Sequence, residues 1–472
     1  MTYDLTVPSF WQDEAATLSG ANRPISTLLK MAQKIDVVHS FYYGLMHFWS
    51  SAFGFSVLSM RIPSILAVGA TCSLIYVLVR KLNGTYPLAI LASSLYLVLP
   101  RTHYASGESR SNALTATLAV ALTLALVILL NLPTKSLPVW LSWLGYAALA
   151  TLSTYDFMFS LLLAVPHLVY VMIRHREKLW YFLASWGVAL IAAAPLFYWG
   201  YKEKNQVSWI KLKPITSYLF ESVVSVNFLS RYWIAGIFLG LGVLVAIAYV
   251  RSRLQRQHFH ENTLVEMSLL WVALPSATLI AASFAFHPYF VEHYLTFTTP
   301  ATAILGAVGL SKLKFNWLMI PATVAIFALG FFSLQDARAA WAHGPSWMPV
   351  IQDVAANTKS GDGILLPDWR TRNSAEIQLM LDSYRIGYLP GRVDLTLTEP
   401  PSISDKLFGF HVKEKDAPQP SSLMSRVALV SDVIDPVPAM AQAPAWIEKN
   451  YTITAVRQFK DAIVTYFTRK HL

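Results

Sequence analysis

Asn112-Ala-Leu-Thr-Ala-Thr-Leu-Ala-Val-Ala-Leu-Thr-Leu-Ala-Leu-Val-Ile-Leu-Leu-Asn131 contains no Asp, Glu, Lys or Arg. A bilayer core of about 30 Å is crossed by about 20 apolar residues of helix, so this stretch reads as a membrane span. Outward from it, nine further runs have the same character: 58–80 and 84–100 before it, then 138–155, 158–174, 181–200, 231–250, 265–286, 294–311 and 316–333. The expected architecture is a polytopic α-helical membrane protein with about ten spans. Composition agrees: the 472 residues are 55% hydrophobic and only 14% charged, against about 25% charged in soluble proteins. A mean hydropathy of +0.44, with 15 Trp, 22 Tyr and 25 Phe, excludes a disordered chain or a simple cytosolic enzyme. The net charge of +10 sits in short clusters between apolar runs, which fits membrane topology rather than a nucleic-acid footprint. The lone cysteine, Cys72, permits neither an internal disulfide nor a Cys-based metal site.

Basic residues orient the spans. With 58–80 running inward, the cytoplasmic loops hold Arg80 and Lys81; Lys135; Arg174, Arg176 and Lys178; Arg251, Arg253 and Arg256; and Lys312 and Lys314. One outer loop, 200–231, goes against this bias with Lys202, Lys204, Lys211, Lys213 and Arg231, which makes it a candidate site. Three segments follow: an outer segment 1–57 with juxtamembrane helices, a membrane domain 58–333 and an extracytoplasmic α/β domain 334–472. Nothing between Met1 and the first run reads as a signal peptide or span, so the reading expects a further N-terminal helix upstream. In the tail, helices are expected at Trp347–Ala356 and Asn373–Tyr384, and strands at Ile364–Leu366 and Val427–Val430. Tyr451–Phe459 and Ala462–Thr468 read as a hairpin, with a long Pro- and Ser-rich loop over 395–422.

The chemistry concentrates in Pro8-Ser-Phe-Trp-Gln-Asp-Glu-Ala-Ala-Thr17. Ser9 and Gln12 have capping-box spacing, which places Asp13 and Glu14 in a first helical turn; alternatively these acids only complement the helix dipole. Neighbouring helical residues do not share a face, so one of the two can point at a given substrate atom. Next come an amphipathic piece, Ile25–Ile35, then Asp36-Val-Val-His39 with Tyr42 and Tyr43, and Leu45-Met-His-Phe-Trp49. Aromatic, weakly polar stretches of this kind lie at the membrane interface.

Trp11-Gln-Asp13-Glu14 before many spans, followed by Asp36-x-x-His39 and Tyr42-Tyr43, resembles the GT-C superfamily of membrane glycosyltransferases. The nearer likeness is to the branch of protein O-mannosyltransferases and the lipid A aminoarabinose transferase, and actinobacterial envelope glycosyltransferases share the layout. The resemblance implies an enzyme taking a sugar from a polyprenyl phosphate carrier on the outer face of the plasma membrane, with Asp13 at the position of the base and Glu14 beside it. The next outer loop, Arg101-Thr-His103-Tyr104-Ala-Ser-Gly-Glu108-Ser-Arg110, carries a second polar site; Arg110-Ser-Asn112 departs from the Arg-Tyr often found there. Where relatives open a later span with Arg-Tyr, this chain has His293-Tyr294.

Inverting transfer needs a carboxylate to take the acceptor's proton and cations to neutralise the leaving phosphate. Asp13 is the expected base. Arg110, Lys202, Lys204, Lys211 and Lys213 are the phosphate candidates, arginine as a bidentate fork and lysine as a point charge. For the lysines a solvated face or lipid-headgroup contact is the competing explanation, and for His293 a helix end satisfying its own backbone. Asp36, His39, Tyr42, Glu108 and His293 complete the substrate-contact candidates. No spacing resembles a metal motif, although Asp13, Asp36, His39, His103, Glu108, His287 and His293 offer oxygen and nitrogen donors, so a divalent cation stays open as a cofactor. The acceptor can be a lipid, a glycan or a protein. Asp156 reads as a cap, and Pro195 and Pro275 as tolerated kinks. The competing class is a membrane transporter or lipid flippase; against it, the centres of all ten runs lack Asp, Glu, Lys and Arg, where a translocation path would place ionisable groups. A non-catalytic scaffold would leave the acidic pair unexplained.

Overall fold

Pro63 lies inside the first long helix of the chain, and the consequence is visible in the computed structural model. A proline cannot donate to the carbonyl four residues back, here that of Ser59, and the Trp49 indole N–H donates to this carbonyl instead at 2.9 Å. The same residue marks the boundary between two compact units, Thr2–Ile62 with Arg338–Leu472, and Pro63–Ala337. The structure describes all residues except 1, 133–136, 255–261, 314–315, 345, 367–383, 432, 434–438 and 471–472. Lys135, Arg256, Lys314 and most of the helix expected at Asn373–Tyr384 lie outside the described residues.

The unit Pro63–Ala337 is helical, and each of the ten apolar runs falls on helix. Among the described residues, five helices are long and apolar enough to cross a membrane: Val57–Lys81, Asn112–Leu130, Tyr232–Ser252, Asn262–Ala285 and Trp317–Ala337. Arg176–Ala192 and Ala194–Lys202 make a sixth span if counted together, bent by 50° where Pro195 opens the second helix. Of the remaining runs, 138–155 lies within the unbroken helix Leu137–Asp156, and the other three are broken locally. Run 84–100 ends its helix at Val98 because Pro100 forces Leu99 into extended backbone. Run 158–174 opens as a tighter 3-10 turn, Met158–Leu163, before Ala164–Arg174. Run 294–311 starts in the 3-10 turn Glu292–Thr298 and becomes α-helical at Thr299, with Pro300 in the first turn. Pro275 sits inside an unbroken helix. The expected cap at Asp156 is a different device: its fully buried carboxylate ends the helix Leu137–Asp156 and accepts from the Thr115 hydroxyl at 2.7 Å. Trp143, Trp271, Tyr96 and Tyr218 are among the large side chains filling this core. The chain is a multi-pass membrane protein.

The other unit joins both ends of the chain. Three helices form its N-terminal part: α1 (Gln12–Ala21), α2 (Ile25–Ala32) and α3 (Ser40–Phe53), and α4 (Val57–Lys81) gives it residues through Ile62. Helix α1 packs so closely on α3 that a Cβ on Gly20 would lie 2.6 Å from the Tyr43 ring. The C-terminal part is a five-stranded sheet in the order β2-β1-β5-β7-β6, with β1 at Gly363–Leu365, β2 at Val393–Asp394, β5 at Arg426–Ser431, β6 at Tyr451–Gln458 and β7 at Ile463–Arg469. β1 runs parallel to β2 and β5; β7 is antiparallel to β5 and β6. The hairpin expected around Lys460-Asp461 is β6–β7, and the helix expected at Trp347–Ala356 runs Met348–Asn357. Val427, Leu429, Phe467 and Leu365 fill one side of the sheet with Ile447 and Tyr451. The stretch 395–422 is not a plain loop; it holds the short antiparallel pair β3 (Leu397–Glu399) and β4 (Phe410–His411).

Two seams tie the parts of this unit together. Tyr384 Oη accepts from the Phe10 backbone N–H at 2.7 Å, and Ser9 Oγ from that of Trp347 at 2.7 Å. On the other side, the buried Arg23 guanidinium donates to the carbonyls of Ser404 at 3.0 Å, Lys406 at 2.5 Å and Leu407.

Candidate active site

Helix α1 starts at Gln12, and the residue before it, Trp11, is extended and makes no side-chain cap. The capping box is therefore not formed: Ser9 spends its hydroxyl on Trp347. Its main consequence survives, since Asp13 and Glu14 occupy the first turn. There the two carboxylates part company. Asp13 is half-buried, whereas Glu14 is completely buried and faces Arg61 of α4.

Arg61 Nε donates to Glu14 Oε1 at 2.8 Å and Nη2 to Oε2 at 2.7 Å, a bidentate fork. The other guanidinium hydrogens go to the carbonyls of Leu5 at 2.7 Å, Pro8 at 2.9 Å and Ser9 at 3.1 Å. Phe10 lies against the guanidinium, 5.4 Å from ring centre to Cζ. One side chain thus fixes the path of residues 5–9 and the carboxylate next to Asp13. His343 Nδ1 stands 3.3 Å from Glu14 Oε2, and the buried Arg338 is close enough to feel both charges. Burial alone pushes the Glu14 carboxyl up, but Arg61 and then His343 bring it down to about 2. Burial dominates at His343 and lowers its proton affinity despite Glu14. Glu14 is a permanent anion inside an ion-pair cluster.

Asp36 adopts the left-handed backbone conformation, φ 63°, which short polar side chains tolerate best after glycine. Its carboxylate accepts from the Tyr43 hydroxyl and lies 3.9 Å from His39 Nε2. Tyr42, expected from the sequence as a substrate contact, is buried in the same helix, and it is Tyr43 that bonds Asp36.

The remaining candidates belong to the membrane unit. Glu108 is buried, its Oε1 accepting from Asn112 Nδ2 at 2.6 Å and its carbonyl from Ser64 Oγ at 2.7 Å. Arg110 is buried too, 8% exposed. Arg101 is buried more deeply; it donates to the carbonyls of Val226 at 2.6 Å and Ser225 at 3.0 Å and lies within electrostatic range of Glu292, Tyr104 and Glu108. Lys202 lies over the rings of Tyr198 and Trp199 at 4.4 and 4.5 Å, and Lys204 over Tyr201 at 4.6 Å. Lys213, from the same loop, is paired with Glu221 at 2.8 Å. Two ammonium groups are therefore held on an aromatic ledge, and a third is already neutralised. His293 packs edge-on against Tyr294, whose ring stacks on Phe159. Among the described residues no three His, Cys, Asp or Glu side chains converge on a point that would hold a metal ion.

Sequence reasoning missed Arg61, His343 and Arg338. The signal for Arg61 was present, a lone cation at the start of the first apolar run; His343 and Arg338 lie far along the chain and announced nothing.

Comparison with known proteins follows the same lines. Residues 41–199 match the family described as dolichyl-phosphate-mannose-protein mannosyltransferase. No protein of curated function matches the chain. Among solved structures, ArnT from Cupriavidus metallidurans in the apo state aligns over 98% of this chain and 95% of its own, with a TM-score of 0.59 and 12% identity. The same protein bound to undecaprenyl phosphate aligns equally well. The Archaeoglobus fulgidus oligosaccharyltransferase in complex with Zn and sulfate aligns over 98% of this chain and 70% of its own, with a TM-score of 0.51 and 13% identity. The likeness of fold to ArnT thus extends over nearly the whole chain, and the family match covers residues 41–199 within it.

Proposed function

We propose that this protein is a glycosyltransferase that moves a sugar, mannose by the likeness of residues 41–199, from a polyprenyl phosphate carrier to a hydroxyl of an envelope lipid, glycan or protein. The observation that carries this reading is the division of labour in the first turn of α1: Arg61 locks Glu14 as a buried anion while the adjacent Asp13 stays half-exposed. A general base must reach its substrate and exchange protons near working pH, which suits Asp13. Glu14 serves better as the anchor that holds Asp13 in place. The solved relative that binds undecaprenyl phosphate supports a lipid-linked phosphate donor.

In this scheme the reaction takes place on the outer face. The acceptor hydroxyl loses its proton to Asp13 as its oxygen attacks the anomeric carbon; the bond to the carrier phosphate breaks, and the polyprenyl phosphate leaves with the electron pair. Inversion follows from a single displacement. Lys202, Lys204 and Arg110 are proposed to balance the charge on the leaving phosphate, each such donor contributing a few kcal/mol. Asp36, His39, Glu108 and His293 are proposed to contact donor or acceptor. Residues 1–57 and 334–472 form the outer face of the enzyme and 58–333 its membrane domain.

The deciding experiment incubates membranes containing the full chain, wild type or Asp13→Asn, with labelled polyprenyl phosphate mannose and follows label into envelope products. Transfer by the wild type that vanishes in Asp13→Asn supports the class, the donor and the base together. Undiminished transfer by Asp13→Asn removes Asp13 as base. No transfer with mannosyl or arabinosyl donors sinks the proposal and returns the transporter reading.

A further inference from the structure

At the end of the membrane unit far from Pro63, the end of α4 joins the helices Asn112–Leu130, Ala164–Arg174 and Asn262–Ala285 around a cavity of about 570 Å³. Lys81 stands 18 residues beyond Pro63, which is about 27 Å of helix, so this cavity has no part in the chemistry proposed above. Its volume is in the range of small-molecule sites. The lining is divided: Val127, Ile128 and Leu130 make an apolar wall, and Lys81, Asn83 and Asn131 a polar one.

The charges at this cavity lack a counter-ion. Lys178 is only 3% exposed, and its ammonium donates to the carbonyl of Leu132, itself a wall residue. An ammonium has three donors, and a buried cation is costly without an opposite charge. Among the described residues, no carboxylate lies within ion-pair distance of Lys81 or Lys178. The nearby acids are committed elsewhere: Glu266 to Arg174 at 2.5 Å and to Tyr249, Glu177 to His175 at 3.5 Å. Asn131 gives its amide hydrogen to the Val127 carbonyl at 2.8 Å, which orients its side-chain oxygen as an acceptor for a ligand hydroxyl.

An apolar wall, the lining cation Lys81 with the buried Lys178 behind Leu132, and a hydroxyl acceptor together match one chemistry, a phosphodiester carrying a hydroxylated headgroup and acyl chains. We propose that this cavity binds the headgroup of an anionic phospholipid, with the phosphate at Lys81 and the field of the buried Lys178 behind the Leu132 wall, the headgroup hydroxyls at Asn131 and the start of an acyl chain along Val127 and Ile128. Basic pockets between spans at a cytoplasmic membrane surface take such lipids, and this is the cytoplasmic end in the orientation set by the basic loops.

The test uses the full chain purified in detergent, incubated with phosphatidylglycerol or with phosphatidylcholine of the same acyl chains, and counts retained lipid by native mass spectrometry. The expected result is preferential retention of phosphatidylglycerol. Lys81→Glu should lower it roughly fivefold to tenfold, as reversal of one surface charge predicts, with an unchanged melting temperature. Arg251→Glu, a charge reversal on an exposed cation outside this cavity, should leave retention as it was. Equal retention of the two lipids overturns the proposal, as does a Lys81→Glu protein that retains phosphatidylglycerol like the wild type. Displacement of phosphatidylglycerol by excess inorganic phosphate also overturns it, by showing that a free phosphate and not a lipid is the occupant.

Discussion

Arg61 and Glu14, 47 positions apart, form a two-pronged ion pair with both side chains wholly out of solvent. Breaking such a pair from one side leaves a buried charge alone, which costs about 3–5 kcal/mol. Arg61→Met should therefore lower the melting temperature of the purified protein sharply, and adding Glu14→Gln should restore part of the loss. A double variant no more stable than the single would show that the pair does not govern this cluster.

Asp13 should behave in the opposite way. Its half-exposed carboxylate sits beside the cluster, so Asp13→Asn should keep the wild-type melting curve while transfer drops about 10²- to 10⁴-fold. If activity and stability fall together, Asp13 is a structural residue and the base lies elsewhere.

Acid should loosen the unit that joins both ends of the chain in two stages. His343 is held below its ordinary 6.5 by burial, so the unfolded chain binds its proton more readily; its contribution is complete above pH 6.5 and fades as pH falls below it. Glu14, brought from an ordinary 4.5 to about 2, adds stability that is present above pH 4.5 and is lost as pH falls toward 2. Melting temperatures between pH 8 and pH 3 should decline from about 6.5, and His343→Phe should remove that first stage. An unchanged onset in the variant would assign the decline to other groups.

Two cations that bridge to the same loop should differ in weight. Arg23 is 1% exposed and donates to three carbonyls of that loop; Arg23→Ala strands those acceptors and should cost on the order of 1–3 kcal/mol or more. The Lys34–Asp405 pair has side chains 65% and 43% exposed, so Lys34→Ala should change stability by less than about 1 kcal/mol. Denaturant midpoints compare them directly, and equal effects would contradict the burial argument.

Gly20→Ala tests the α1–α3 contact. The new methyl would press on the Tyr43 ring at 2.6 Å, and overpacking of this kind typically costs about 1–3 kcal/mol. A neutral or stabilising result would mean that Tyr43 can swing away without losing Asp36.

Much of this architecture was legible in the sequence because hydrophobic runs and alternation are local signals. Asn112–Leu130 and the hairpin β6–β7 announce themselves within 20 residues. The lapses have a common physical source, partners distant in sequence. Ser9 has the spacing of a capping box, yet a backbone N–H 338 positions later claims its hydroxyl. Arg61 reads locally as a flanking cation of a span, and only the fold shows that it closes on Glu14. The first-turn position of Asp13 and Glu14 was readable; which of them is held and which is accessible depended on Arg61 and His343. The breaks in runs 84–100, 181–200 and 294–311 fall at Pro100, Pro195 and Pro300, whose backbone constraints outweigh hydropathy.

The seam between Phe10 and Tyr384, and that between Ser9 and Trp347, also carry a consequence for biogenesis. The ribosome makes the acidic pair well before the groups that finish its surroundings, which emerge only after all the intervening helices have been synthesised. Until then Glu14 can meet Arg61 but not His343, and residues 8–10 have no sheet domain to dock on. Assembly of this unit must wait until Trp347 and Tyr384 have been made, so a nascent chain that stops before them carries the acidic motif without its finished setting.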